Sequence, residues 1–243
     1  MAVEPKTPPA GTSAIPLAPK VLSLAVPVAC RRYFVWAQIV IAFLFLEFAI
    51  WAETPKIRNR WAAIAGITIL VMVLINVLID VLNDRPALHR LGLGLPKISG
   101  AGLVLGIGLA ALVLMVILVR LAGGQIPANS TGLNLHLAWG YMIWALLQEF
   151  MLQSFFFTRF EELYGSPAAV WMASTLFAAA HLPSPILTTA TLIGALFFCE
   201  MFRRYRNIYP LAIVHAMLGL TMAVITPDSL LHHMRVGIGY LRY

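Results

Sequence analysis

Apolar runs long enough to cross a bilayer recur along the chain after residue 30, and this feature leaves very few folds open. A hydrocarbon core of roughly 30 Å takes about 20 apolar residues as a helix. Inside it every peptide N–H and C=O must be bonded within the protein, which only helices and closed barrels achieve. The runs fall at about 33–53, 61–83, 99–121, 134–157, 167–182, 186–202 and 208–226. They are continuous rather than alternating, so they read as helices. The predicted fold class is all-α, a polytopic membrane bundle of about seven to eight transmembrane helices.

Composition leads to the same place. The chain is 60% hydrophobic and 11% charged, against about 25% charge in a soluble domain. That is too little polar surface for an ordinary soluble enzyme and too much apolar sequence for disorder. Residues 1–30 differ from the rest: Pro5, Pro8, Pro9, Pro16, Pro19 and Pro27 interrupt them, with neither a basic leader nor an unbroken apolar stretch. They read as a flexible arm rather than a signal peptide. Residues 31–230 then form the bundle and 231–243 a short tail.

The net charge of +7 sits in loops between the runs. Its meaning is membrane topology and contact with anionic lipid, not nucleic acid, for which no motif is present. With the N-terminus cytoplasmic, inside segments hold eleven Lys and Arg and outside segments six, so the positive-inside rule predicts that orientation. Cys30 and Cys199 lack metal-ligand spacing and read as buried packing residues. Gly102 and Gly106 form a small-xxx-small pair through which two helices could approach closely.

Ionisable groups at bilayer depth are costly unless they face a partner or a wet cavity, which makes each a functional candidate. Seven qualify: Glu47, Asp80, His136, Glu149, His181, Glu200 and His215. Asp80 and His136 lie near an interface, and Glu200 can pair with Arg203 or Arg204 one turn away, so these three read as structural. Glu47 has no evident role. His232 and His233 follow the last run and read as an interfacial feature rather than a metal site.

Glu149, His181 and His215 come from three different runs. A carboxylate and two imidazoles converging on one pocket suit the transfer of a proton from water to a leaving group. The competing reading is a polar knot that ties three helices together. Residues four positions away share the helix face of each: Gln153 with Glu149, Phe177 with His181, Gly219 with His215. Gln153 could orient the carboxylate, Phe177 could wall the imidazole from lipid, and Gly219 leaves room for a backbone or a water.

In order and spacing, Gln148-Glu149-x-x-x-Gln153, Phe177-x-x-x-His181 and His215-x-x-x-Gly219 resemble the EExxxR, FxxxH and HxxxN motifs of the CPBP family, the CAAX prenyl protease and bacteriocin-processing (Abi) intramembrane endopeptidases. Ser-Phe-Phe-Phe-Thr-Arg-Phe at 154–160 and the basic stretch from Arg203 into His215 are similar to the family's connecting sequence, with a weaker echo in Leu93-Gly94-Leu95. The likeness covers about 135–225. It implies a metal-free peptide hydrolase with no cofactor, acting on a membrane-associated protein or peptide in a bacterial inner membrane. Carried over, His181 is the water-activating partner, Glu149 the surviving carboxylate and His215 the oxyanion donor.

Three positions depart from the pattern. Gln148 stands where the family has its first glutamate, Gln153 where it has arginine and Gly219 where it has asparagine. A neutral amide takes no proton at physiological pH. Two readings follow: a protease in which Glu149 is the base, or a catalytically inactive scaffold that holds a partner, peptide or lipid in the same cavity. A transporter or channel has only the polar residues in its favour, and no inverted repeat is evident. Depth adds a strain: Glu149 and His215 lie about 10–12 Å from the cytoplasmic end of their runs at 1.5 Å per residue, and His181 about twice as far. The depths agree only if the span at His181 tilts or starts late, and the expectation is that Pro167 begins a surface helix and the boundary lies further on.

Overall fold

Each of the seven apolar runs contains a helix. The computed structural model describes residues 28–52, 60–83, 87–121 and 135–242. The long helices are α1 (Val28–Ala52), α2 (Arg60–Asn83) and α4 (Ile98–Leu121), with the short α3 (Ala87–Arg90) between the last two. A helical rod then runs unbroken from Leu135 to Tyr164 as α5 (Leu135–Glu149), a π-helical segment (Phe150–Phe157) and α6 (Thr158–Tyr164). After it come α7 (Ser166–Ala179), α8 (Pro185–Tyr205), α9 (Tyr209–Ile225), α10 (Asp228–Leu231) and α11 (Gly237–Leu241). Among the described residues there is no strand, so the predicted helical bundle is the fold. Most of the Pro-rich arm, at 1–27, and the His136 side chain lie outside the described residues.

Length sorts the helices. Among the described residues four are long and apolar enough to cross a membrane singly, Cys30–Ala52, Arg60–Asn83, Ile98–Leu121 and Pro185–Tyr205, and Tyr209–Ile225 with Asp228–Met234 makes a fifth if that pair, bent by 118°, is one span. The 14 residues of α7 reach only about 21 Å, short of a hydrocarbon core.

Lipid tails are as apolar as leucine, so close packing and polar contacts hold such helices together. In α2 the buried residues Ala62, Ala65, Ile69, Val73 and Val77 recur at helical spacing. They form one stripe against α1, where Val35, Ile39 and Ala42 are buried at matching intervals. Ile67, Leu74, Leu78 and Leu82 on the other side of α2 stay exposed, the surface expected to face lipid. In α4 the buried stripe is Gly100, Val104 and Gly108. A Cβ at Gly108 would come 2.5 Å from Val214 of α9, whereas Gly102 and Gly106 have nothing within 4 Å. The close approach expected at Gly102 and Gly106 is therefore made one face away, because those two glycines point out of the bundle. Cys30, expected to be buried, is exposed among exposed neighbours at the start of α1, before that helix meets a partner; Cys199 is buried.

Polar contacts add to the frame. Arg159 donates to Asp80 (2.9 Å) and to Gln38 (3.1 Å) and lies over the Phe155 ring, while Gln38 donates to Asn76. This cluster joins α1, α2 and α6. Glu200 accepts from Arg203 and Arg204 at 2.7 and 2.6 Å, as the spacing predicts. Glu47 accepts from Trp51 Nε1 at 2.9 Å within α1.

The connections that aim the site have local causes. Gly165, at φ +81°, lets the chain reverse between α6 and α7 in a conformation that side chains disfavour. Ser184 caps α8 by accepting from the Leu187 N–H, with Pro185 in the first turn where no amide donor is missed. The segment containing Leu93-Gly94-Leu95 docks on the α8–α9 connection: Asn207 donates to the Gly94 carbonyl (2.7 Å) and Ile208 N–H to that of Gly92 (3.1 Å). The C-terminal residues fold back, with Gly237 N–H donating to the Leu182 carbonyl at 2.8 Å.

Candidate active site

The π-helical segment decides what the rod presents. It begins directly after Glu149 and buries Leu152, Gln153, Ser154, Phe155, Phe156 and Phe157. Such single-segment departures from α geometry cluster at functional sites because they re-aim side chains. Ser154 Oγ donates to the Leu91 carbonyl (2.7 Å), and Thr158 Oγ1 lies 2.9 and 3.0 Å from the carbonyls of Ser154 and Phe155, so the altered ladder stays supplied with partners.

Glu149 is fully buried. Its Oε1 lies 2.8 Å from His215 Nδ1, and its Oε2 accepts from Gln153 Nε2 at 3.1 Å. Taken with Glu149 as carboxylate, His215 donates from Nδ1 and keeps Nε2 as its free ring nitrogen. The His215 imidazole stacks on Phe198 with centroids 5.4 Å apart and meets the edge of Phe177 at 5.9 Å. Two aromatic rings and one carboxylate thus fix its plane.

His181 lies in the turn after α7 rather than in the helix. Its Nδ1 donates to the Phe177 carbonyl at 2.8 Å, and its ring packs on the Phe177 ring at 4.9 Å. Here too Nε2 is left for other work. Phe177 therefore touches both imidazoles.

Both histidines line a cavity of about 480 Å³ bordered by α1, α4, α5, the π-helical segment, α7, α8 and α9. Its wall is apolar except for Tyr141, Gln148, His181, Thr191 and His215. Glu149 does not line it, standing behind His215, whereas Gln148 does. Gly219 reaches the wall as well, but the room it was expected to leave is filled, since a Cβ there would sit 2.7 Å from Tyr141 Cζ. Met234 and Val236 of the C-terminal segment also line the cavity. Nothing in the sequence pattern singled out Tyr141, Met234 or Val236, which read as ordinary apolar-run and tail residues. Among the described residues no three of His, Cys, Asp and Glu gather as a metal ion would need.

Residues 130–221 match the family model described as Type II CAAX prenyl endopeptidase Rce1-like. The chain carries a CPBP-family core. No curated protein and no solved structure matches it. The CPBP core runs from α5 into α9, so one family segment supplies Glu149, His181 and His215. The CPBP family is one of endopeptidases, and with several helices long enough to cross a bilayer the chain is an integral membrane protein.

Proposed function

We propose that this protein is an intramembrane endopeptidase that hydrolyses a peptide bond of a membrane-associated protein or peptide, with water activated by His215 and its buried partner Glu149. The observation that carries the reading is the 2.8 Å contact between Glu149 and His215 Nδ1, on a residue that itself lines the cavity. In this reading Glu149 acts through His215 instead of on water, because it is fully buried and absent from the wall. His215 Nε2 takes a proton as the water oxygen bonds to the carbonyl carbon, and Glu149 offsets the charge that forms on the ring. The same proton then passes to the leaving nitrogen as the C–N bond breaks. General acid–base steps of this kind contribute about 10²–10⁴-fold. His181 Nε2 is a second acceptor that holds the water, and Gln148 hydrogen-bonds the substrate backbone.

An occupant that is apolar and extended suits the mostly apolar wall, and the family name supports a prenylated peptide as the first substrate to try. The distribution of Lys and Arg supports an N-terminus inside the cell, and the family resemblance a bacterial inner membrane. The test is hydrolysis of a farnesylated peptide ending in Cys-Val-Ile-Met by the full chain in phospholipid nanodiscs. Turnover that is lost in His215→Ala is the expected result.

One observation favours a second reading. Gln148 gives the cavity wall a neutral amide where the family pattern has a carboxylate, as a catalytically inactive holder of a peptide or lipid would. Saturable binding of the same peptide without any cleavage supports that reading and contradicts the first.

A further inference from the structure

Gly219 lies one helical turn beyond His215 on α9, and both reach the cavity. The volume that a side chain at 219 would take is occupied. A Cβ there would lie 2.7 Å from Tyr141 Cζ and 2.8 Å from Cε1, and would overlap the hydroxyl oxygen. No residue but glycine fits while Tyr141 keeps its place. Tyr141 itself belongs to α5, seven residues before Gln148 and so near the same helix face, and both line the cavity with the two histidines.

The Tyr141 hydroxyl is a polar group in an apolar wall. Among the described residues it has no hydrogen-bond partner. A phenol is protonated at neutral pH and donates one hydrogen bond. Such a group costs stability when unpaired, and its position against Gly219, itself one turn beyond His215, points to a partner that arrives with the substrate.

We infer that Tyr141 donates the hydrogen bond that holds the carbonyl oxygen of the scissile peptide, with Gly219 kept small to admit it. This deepens the peptidase reading above and rests on it. As water adds and its proton moves to His215, the carbonyl pair shifts to oxygen, and the Tyr141 O–H stabilises that oxyanion. When the C–N bond breaks, the pair returns to the carbonyl and the tyrosine proton has not moved. A donor aimed at the developing charge acts on the transition state more than on the bound substrate.

The experiment uses the full chain in nanodiscs with the farnesylated peptide, comparing wild type, Tyr141→Phe, Tyr141→Leu and Tyr141→Leu with Gly219→Asn. Phenylalanine keeps the ring against Gly219, so this variant retains the packing. The expected result is a kcat about 10²-fold lower in Tyr141→Phe with KM changed less than about threefold. Asparagine at 219, given room by leucine at 141, raises kcat above that of Tyr141→Leu alone. A Tyr141→Phe kcat within about twofold of wild type overturns the inference and leaves the peptidase reading standing. A wild type that leaves the peptide intact overturns that reading, and Tyr141 is then judged by binding of the corresponding farnesylated peptide aldehyde. Affinity weakened about tenfold by Tyr141→Phe supports the carbonyl contact, and equal affinity refutes it.

Discussion

The helical rod from Leu135 to Tyr164 carries two buried polar clusters, and they differ in what they leave open. At its α6 end Arg159 is bonded to Asp80 and Gln38 and covered by Phe155, and Gln38 is bonded onward to Asn76. That cluster borders no part of the cavity. Midway along the rod Gln153 holds Glu149, which bonds His215 Nδ1, while among the described residues His215 Nε2 and the Tyr141 hydroxyl have no hydrogen-bond partner, and both residues line the 480 Å³ cavity. The same cost of burying polar groups applies to both. A cluster whose bonds close on themselves holds helices together; one that keeps donors and acceptors free at a cavity is equipped to act on a guest.

The sharpest way to break this comparison is to damage each cluster and ask which property falls. Glu149→Gln should lower kcat by about 10²–10⁴-fold while shifting the melting temperature little, since the amide can still bond His215 but carries no charge to offset the imidazolium. Hydrolysis rates and thermal melts in nanodiscs check both halves. Asp80→Ala should do the reverse, costing about 3 kcal/mol of stability by stranding Arg159, with kcat of the folded fraction unchanged. Equal losses of activity in the two variants would erase the distinction.

Packing gives a smaller contrast. Gly108→Ala sets a methyl 2.5 Å from Val214 and should cost about 1–3 kcal/mol. Gly102→Ala meets open space and should be neutral or stabilising by up to about 1 kcal/mol. Thermal melts of the two variants read this directly.

These glycines also show how far the sequence could be read. Seven apolar runs became helices, and the three candidate residues fell in one CPBP-family segment. Residues four apart met as helical geometry requires: Gln153 with Glu149, Phe177 with His181. What escaped depended on contacts between distant elements. Gly102/Gly106 is the small-xxx-small pair on this helix, whereas Gly100 and Gly108 stand eight apart, and only the positions of α8 and α9 make the second pair the one that is packed. The π-helical segment has no local marker in Phe-Met-Leu-Gln-Ser-Phe-Phe-Phe, an apolar stretch any span could contain. Tyr141 was invisible for the same reason, because its meaning comes from a gap 78 positions later at Gly219.

The mildest effect is expected outside the spans, where Glu161 meets Arg206 and Ser166. Burial pushes the Glu161 carboxyl up, but Arg206 and Ser166 more than offset it and hold it below 4.5. A carboxyl lowered by folding stabilises the native state above its unfolded value and loses that contribution as pH falls through the folded one. Wild type should therefore melt higher than Glu161→Gln at neutral pH, with the gap closing below pH 4.5. A gap that persists unchanged into acid would show that the pairing contributes nothing.

The most direct test of the central claim moves the carboxylate by one residue. In the double variant Gln148→Glu with Glu149→Gln the acid returns to the position of the family pattern and leaves His215 Nδ1. If the Glu149–His215 pair activates water, the double variant hydrolyses the farnesylated peptide no faster than Glu149→Gln alone, at least about 10²-fold below wild type. A double variant that recovers the wild-type rate would contradict the account, since a carboxylate on the cavity wall would then suffice without the buried pair.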